Sequence, residues 1–180
     1  MDLSRMLQRV TYAGAFTWSA SDISGTLLQS RFIGPMCTMF QNASASQIAM
    51  NENTQLTPTL LNYISSYFHY WKGDIKLRFD VVATQMHTGR LFFGMNYGAT
   101  PDSETSLRDA TSQYGAIMDL NDVCHTYEFT IKYMAPTEWL NVCRGPQDPV
   151  VETSADWFVH YFMGSWSIRV LNKLTAPDNV

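Results

Sequence analysis

The sequence predicts an all-β fold, an antiparallel sandwich or barrel. Three observations predict it. Four segments alternate apolar and polar residues with period two, only two short helical patterns interrupt them, and no strand–helix–strand repeat of a parallel sheet occurs. The 180 residues suit one domain and can bury a core without disulfide or metal staples. We assign residues 1–10 to an N-terminal arm and residues 11–180 to the folded domain.

Taken in order, two weaker strand candidates come first, at residues 12–18 and 27–33. A helix candidate follows. Thr57 is a good N-cap and Pro58 is tolerated at the first helical position. Leu60, Tyr63, Ile64, Tyr67, Phe68 and Trp71 then recur at helical spacing until Gly73 stops the run. That stripe reads as core rather than as a stacking platform for sugars or bases. Ile75, Leu77, Phe79 and Val81 alternate with Lys76, Arg78 and Asp80; Leu91, Phe93, Met95 and Tyr97 repeat the pattern. A shorter, more polar helix is predicted over residues 104–113, introduced by Pro101-Asp102-Ser103. Tyr127, Phe129, Ile131 and Tyr133 alternate with Glu128, Thr130 and Lys132, and Trp166, Ile168 and Val170 close the series. A weaker strand candidate lies at residues 156–162. Residues 41–55 and 144–149 read as loops.

Composition removes several classes. Hydrophobic residues make up 46%, aromatics 13% and charged residues 16%, the reverse of a disordered chain. A net charge of −4 lacks the basic surplus of a dedicated nucleic-acid binder. About 25% charge is ordinary, so 16% implies that much of the surface meets other protein. The N-terminus lacks the apolar run of a signal peptide, and no stretch is long and apolar enough to span a bilayer. Cys37, Cys124 and Cys143 are scattered and form no CxxC, which fits small buried side chains in a reducing compartment. Asn42 sits in a chance glycosylation sequon.

The residue spacing offers no catalytic or metal site. The signatures for nucleotides, zinc and serine hydrolysis are missing. His69, His87, His125 and His160 are far apart, and Cys124-His125 would face opposite sides of a strand. Asp80 and Glu128 sit on polar strand faces rather than across a cleft, as a glycosidase would require. No cofactor is implied.

The most informative stretch is Phe68-His69-Tyr70-Trp71-Lys72-Gly73-Asp74-Ile75, followed by Phe79-Asp80-Val81-Val82-Ala83-Thr84-Gln85-Met86-His87-Thr88-Gly89-Arg90-Leu91. It resembles the signature of picorna-like virus capsid proteins, with Lys72 where Arg is common and Met86 where Phe is common. Segments 16–22, 25–28, 129–133 and 164–177 extend the resemblance to roughly residues 11–177, nearest to the dicistrovirus-, iflavirus- and marnavirus-like branches.

The resemblance implies an eight-stranded antiparallel jelly-roll sandwich with two short inserted helices. In the family's lettering, residues 12–18 become strand B, 27–33 C, 75–82 D, 91–97 E, 127–133 F, 156–162 G and 166–171 H. A last strand, I, between B and D, is missing from this chain. Three explanations fit: the mature protein is longer, a neighbouring segment fills the gap, or the strand count is off by one. Trp71, Gly73, Asp74, Thr84, His87, Gly89 and Arg90 become structural corner residues without a catalytic role. Trp71 would plug the end of the sandwich, and Gly89 fits a tight D–E connection needing a positive φ. Thr84 and His87 can bond the exposed backbone there, and Arg90 can pair with a carboxylate on a neighbouring strand or subunit. His87 and His69 could charge near pH 6 and loosen contacts, although a neutral corner histidine bonded to backbone is the simpler reading.

The implied function is that of a structural capsid protein of a non-enveloped icosahedral positive-strand RNA virus. It would assemble in the host cytoplasm into the virion, with sister capsid proteins and further copies of itself. It would enclose RNA without a strong basic patch. Loops at residues 98–108 and 144–151 are candidates for inter-subunit contact. The alternative is a carbohydrate-binding jelly-roll module, which needs exposed Trp or Tyr beside polar residues on one face.

Overall fold

The structure is a computed structural model that describes residues 3–35, 59–84, 86–100, 106–120, 126–142 and 157–175. In chain order it contains α1 (Leu3–Leu7), β1 (Leu27–Phe32), α2 (Leu60–Ser65), β2 (Tyr70–Trp71), β3 (Ile75–Asp80) and β4 (Thr88–Tyr97). It continues with α3 (Leu107–Thr111), β5 (Tyr114–Asp119), β6 (Thr126–Ile131), β7 (Leu140–Asn141), a 3₁₀ turn at Trp157–His160 and β8 (Gly164–Thr175). The strands are antiparallel throughout, as the alternating patterns predict. The fold is all-β, a jelly-roll sandwich with few short helices.

One layer is a four-stranded sheet in the order β1-β8-β4-β5. The other is built on the β3–β6 ladder, while β2 and β7 form a small ladder of their own. Leu91, Phe93 and Met95 of β4 and Trp166, Ile168 and Val170 of β8 supply the inner face of the large sheet. Phe93, fully buried, stacks on Phe129 of β6 with centroids 4.3 Å apart. Phe79 of β3 reaches both Phe93 and Trp166, at 5.6 Å each. These ring contacts clamp the two layers and add to the area burial.

Several expectations are corrected. Residues 12–18 form no ladder, yet Phe16 and Trp18 still pack on the core. Thr57 and Pro58 lie outside the described residues, and the cap of α2 is Thr59, whose side chain accepts from the Asn62 N–H. The helix stops early because Ser65 and Ser66 turn their hydroxyls back to the carbonyls of Asn62 and Tyr63. The aromatic stripe therefore does not share one buried helix face. Tyr63, Tyr67 and Phe68 are exposed, and Trp71 belongs to β2. The second helix contracts to five residues capped by Ser106 and buries Ala110 completely.

Strand β5 has no counterpart among the predicted strands. It fills the fifth position in chain order, so the strand expected as F, now β6, moves one letter on and pairs with β3. The segment expected as G is, in its described part, a 3₁₀ turn. Gly115 interrupts the apolar alternation of β5, and Ile117 points to solvent, which is why period two does not show there. Among the described residues, β3 has a ladder partner on one edge only.

Candidate functional site

The seven corner residues fall into three bonded groups. At the first, β2 sets Trp71 half-buried against the core, its Nε1–H donating to the Tyr161 carbonyl at 3.2 Å. The Tyr133 ring meets Trp71 edge-on at 5.6 Å. Trp71 is thus fixed by Tyr161 and Tyr133 while its ring packs on the core. Gly73 has φ +151°, a conformation that L side chains rarely adopt. That turn sets Asp74 beside the residues that follow β6, where it accepts from Lys132 Nζ at 2.7 Å and from the Tyr133 N–H at 3.0 Å. The hydrogen bond from Lys132, then that from the Tyr133 backbone, hold the Asp74 carboxyl below its ordinary range. Asp74 in turn raises Lys132.

The second group is the turn between β3 and β4. The Thr84 carbonyl accepts from the His87 N–H at 3.0 Å. His87 Nδ1 accepts from the Thr84 N–H at 3.3 Å and lies 2.6 Å from the Thr84 hydroxyl. A backbone N–H can only donate, so Nδ1 is the acceptor in this contact.

The third group is the start of β4. Arg90 Nε lies 2.7 Å from Asp119 Oδ2, its register partner on β5. The neighbouring-strand carboxylate expected for Arg90 is thus Asp119. Asp119 also bonds through its carbonyl, which accepts from the Tyr127 hydroxyl. Gly89 does not have a positive φ, contrary to expectation. It is glycine because the Trp18 indole lies over it: a Cβ would stand 2.5 Å from the ring. Asp119, Lys132, Trp18 and Tyr161 were missed as partners, since no sequence spacing announces contacts between segments far apart in the chain.

Each of these groups is bonded to its own neighbours. Asp80 likewise accepts from Thr126 and Arg78, which hold its carboxyl below the ordinary range in that order. It shares the outer face of the β3–β6 ladder with Glu128. The two carboxylates therefore do not confront each other across a cleft. Among the described residues no group of three or more His, Cys, Asp or Glu is placed to hold a metal ion. No helix among them is long and apolar enough to cross a membrane. Cys37, Cys124, Cys143, His125 and the loop at 144–151 lie outside the described residues.

Among the described residues the fold leaves several large apolar side chains uncovered. Tyr63, Tyr67, Phe68, Tyr70 and Trp139 are all about half exposed or more, around α2 and the β2–β7 ladder. On β5, the edge strand of the large sheet, Tyr114 and Ile117 are exposed. Large apolar side chains left in water are the usual material of protein contacts.

A family model described as picornavirus capsid protein matches residues 30–153. The structural polyprotein of Cricket paralysis virus is 30% identical over 185 residues, covering 100% of this chain and 20% of the relative. The chain therefore spans about a fifth of that relative's length. A solved structure of deformed wing virus, a honeybee pathogen, superposes with TM-score 0.78 at 21% identity, over 100% of this chain and 42% of that one. A marine algae virus of the order Picornavirales gives TM-score 0.72 at 22% identity, over 100% and 67%. At these identities the two structures speak for the fold.

Proposed function

The chain belongs to the picornavirus capsid protein family, and on that premise we propose that it is a wall element of a non-enveloped icosahedral shell around positive-strand RNA. The family is a structural one. The observation that carries the reading is the family match over residues 30–153, on a chain whose motif polar groups are spent on internal bonds.

In this reading the rigid sandwich acts as a wedge. Copies of the chain and sister capsid proteins cover its exposed aromatic and aliphatic surface in repeated symmetric contacts. Each contact is weak, and many together make a closed particle. The arm at residues 1–10 and the loops at 98–108 and 144–151 add contacts around the domain of residues 11–180. Trp71, Gly73, Asp74, Thr84, His87, Gly89 and Arg90 keep the corners in shape for docking. With a net charge of −4 the chain encloses RNA rather than gripping it. Assembly takes place in the host cytoplasm.

The test is electron microscopy of the chain expressed together with its flanking polyprotein segments. Closed shells of uniform diameter are the expected result. A monomer that never assembles and is retained on polysaccharide resin would instead favour the carbohydrate-binding module.

A further inference from the structure

Strand β5 ends the four-stranded sheet. Sheet edges are normally kept apart by charge, proline or a bulge. Tyr114–Asp119 contains no Pro, Lys or Arg, and its register with β4 runs without a shift. Its one charged side chain, Asp119, is turned to Arg90 at 2.7 Å. Other edges among the described residues differ. A bulge between Leu27 and Gln29 breaks β1, and Arg31 on that strand donates to the Ala13 carbonyl. Strands β3 and β6 carry exposed Lys76, Arg78 and Glu128.

The direction of the backbone groups follows from the ladder. The Leu120 N–H donates to the Gly89 carbonyl. Bonding alternates along an antiparallel strand, so Met118 and Ala116 also face β4, while Ile117 and Gly115 turn their N–H and C=O groups outward. The Asp119 carbonyl shares that outward side, where it accepts from the Tyr127 hydroxyl. Among the described residues no backbone group pairs with Gly115 or Ile117 there, and both residues are exposed. A regular row of backbone donors and acceptors is matched by another extended strand.

We propose that β5 pairs antiparallel with β5 of a second copy, about a two-fold axis at Ile117. That register sets Ile117 against Ile117 of the second copy, both backbone bonds exchanged, and Asp119 against Gly115 on either side. The strand is complementary to itself there. The two isoleucines meet as an apolar cross-strand pair, and no like charges are opposed. Arg90, Asp119, Ile117 and Gly115 lie on one face of the sheet. Gly115 has no side chain, so it leaves room for the Asp119–Arg90 pair of the second copy. The Asp119 carbonyl, already bonded to Tyr127, keeps a second lone pair for the incoming strand. The contact is isologous, so it closes on a dimer and makes one continuous sheet of two. It deepens the proposed function, from which it takes only that copies of the chain meet.

Sedimentation equilibrium of the purified full chain between about 10 μM and 1 mM should show monomers and dimers in exchange. Ile117→Lys opposes two like charges at the axis and should weaken the dimer about tenfold or more, with circular dichroism unchanged. Ile117→Cys under mild oxidation should give a dimer whose peptide map joins the two introduced thiols, since facing Cα atoms about 5.5 Å apart suit a disulfide. Lys76→Cys, on the β3 edge, should not. The pairing is overturned by a chain that stays monomeric at about 1 mM, by a dimer indifferent to Ile117→Lys, or by thiols at Ile117 that link no faster than those at Lys76. Micrographs of the chain expressed with its flanking segments separate this from the shell reading. Closed shells beside a monomeric chain sink the pairing alone, whereas β5-linked dimers without shells uphold the pairing and count against the shell.

Discussion

The indole of Trp18 occupies the space that a side chain at residue 89 would need: a Cβ there would stand 2.5 Å from one ring carbon and 2.9 Å from the next, with the Leu174 backbone 3.3 Å away. The contact joins the strandless segment before β1 to the start of β4. It explains the glycine at the start of β4, where the register with β8 shifts.

Gly89→Ala should therefore destabilise the domain by about 1–3 kcal/mol, the usual cost of overpacking a rigid site. Adding Trp18→Ala should recover part of that loss. Urea unfolding of the two single variants and the double variant gives the coupling directly. Simple additivity would show that the ring moves aside without cost.

Gly164 opens β8 with φ +147°, and a Cβ there would collide with the Asn96 carbonyl oxygen and lie 2.7 Å from the Gly98 nitrogen. Both obstacles are backbone, so neither can rotate away. Gly164→Ala is expected to cost about 3 kcal/mol or more and to lower soluble yield sharply. A melting temperature within a few degrees of wild type would contradict the strained geometry.

Phe93 is fully buried and stacked on Phe129 between the two layers. Phe93→Ala removes the ring that both layers share and should cost about 3–5 kcal/mol. Arg90→Ala removes only a half-exposed ion pair with Asp119 and should cost about 1 kcal/mol or less. Thermal unfolding of the two variants, side by side, should show this order; the reverse order would put the stability of the sandwich at its rim.

Asp74 and Asp80 bracket the β3–β6 ladder, and each is held below its ordinary value of 3.8 by partners present only in the folded chain. Their stabilisation is full above that value and is lost as pH falls through the lower, folded value. Lys132 runs the other way: its raised value makes the Asp74 pair fade only as pH climbs above 10.5. Asp74→Asn should thus be less stable than wild type at neutral pH, and the gap should close in acid. Denaturant midpoints at about pH 7 and pH 2.5 test it. An equal gap at both values would remove the carboxylate from the account.

The strands that period two made legible are the ones whose two faces differ. In β3 and β6, Ile75, Leu77, Phe129 and Ile131 turn to the core while Lys76, Arg78 and Glu128 meet water. Strand β5 escaped because Gly115 and the exposed Ile117 break that contrast. The helix at Leu60–Ser65 was legible in kind and not in length, because its end is set by two serine hydroxyls rather than by the apolar stripe. The corner residues were legible as a motif, Arg90 even as half of an ion pair.

The sequence by itself determined the all-β class, the family and the motif, because alternation and residue order are properties of the chain read in one dimension. Only the tertiary structure decided who meets whom. It gave Gly89 a steric reason in place of a conformational one, paired β3 with β6, and left Tyr63, Tyr67 and Phe68 in solvent instead of in the core. Each outcome depends on two segments far apart in sequence competing for one volume, and hydrophobic periodicity carries no record of that competition.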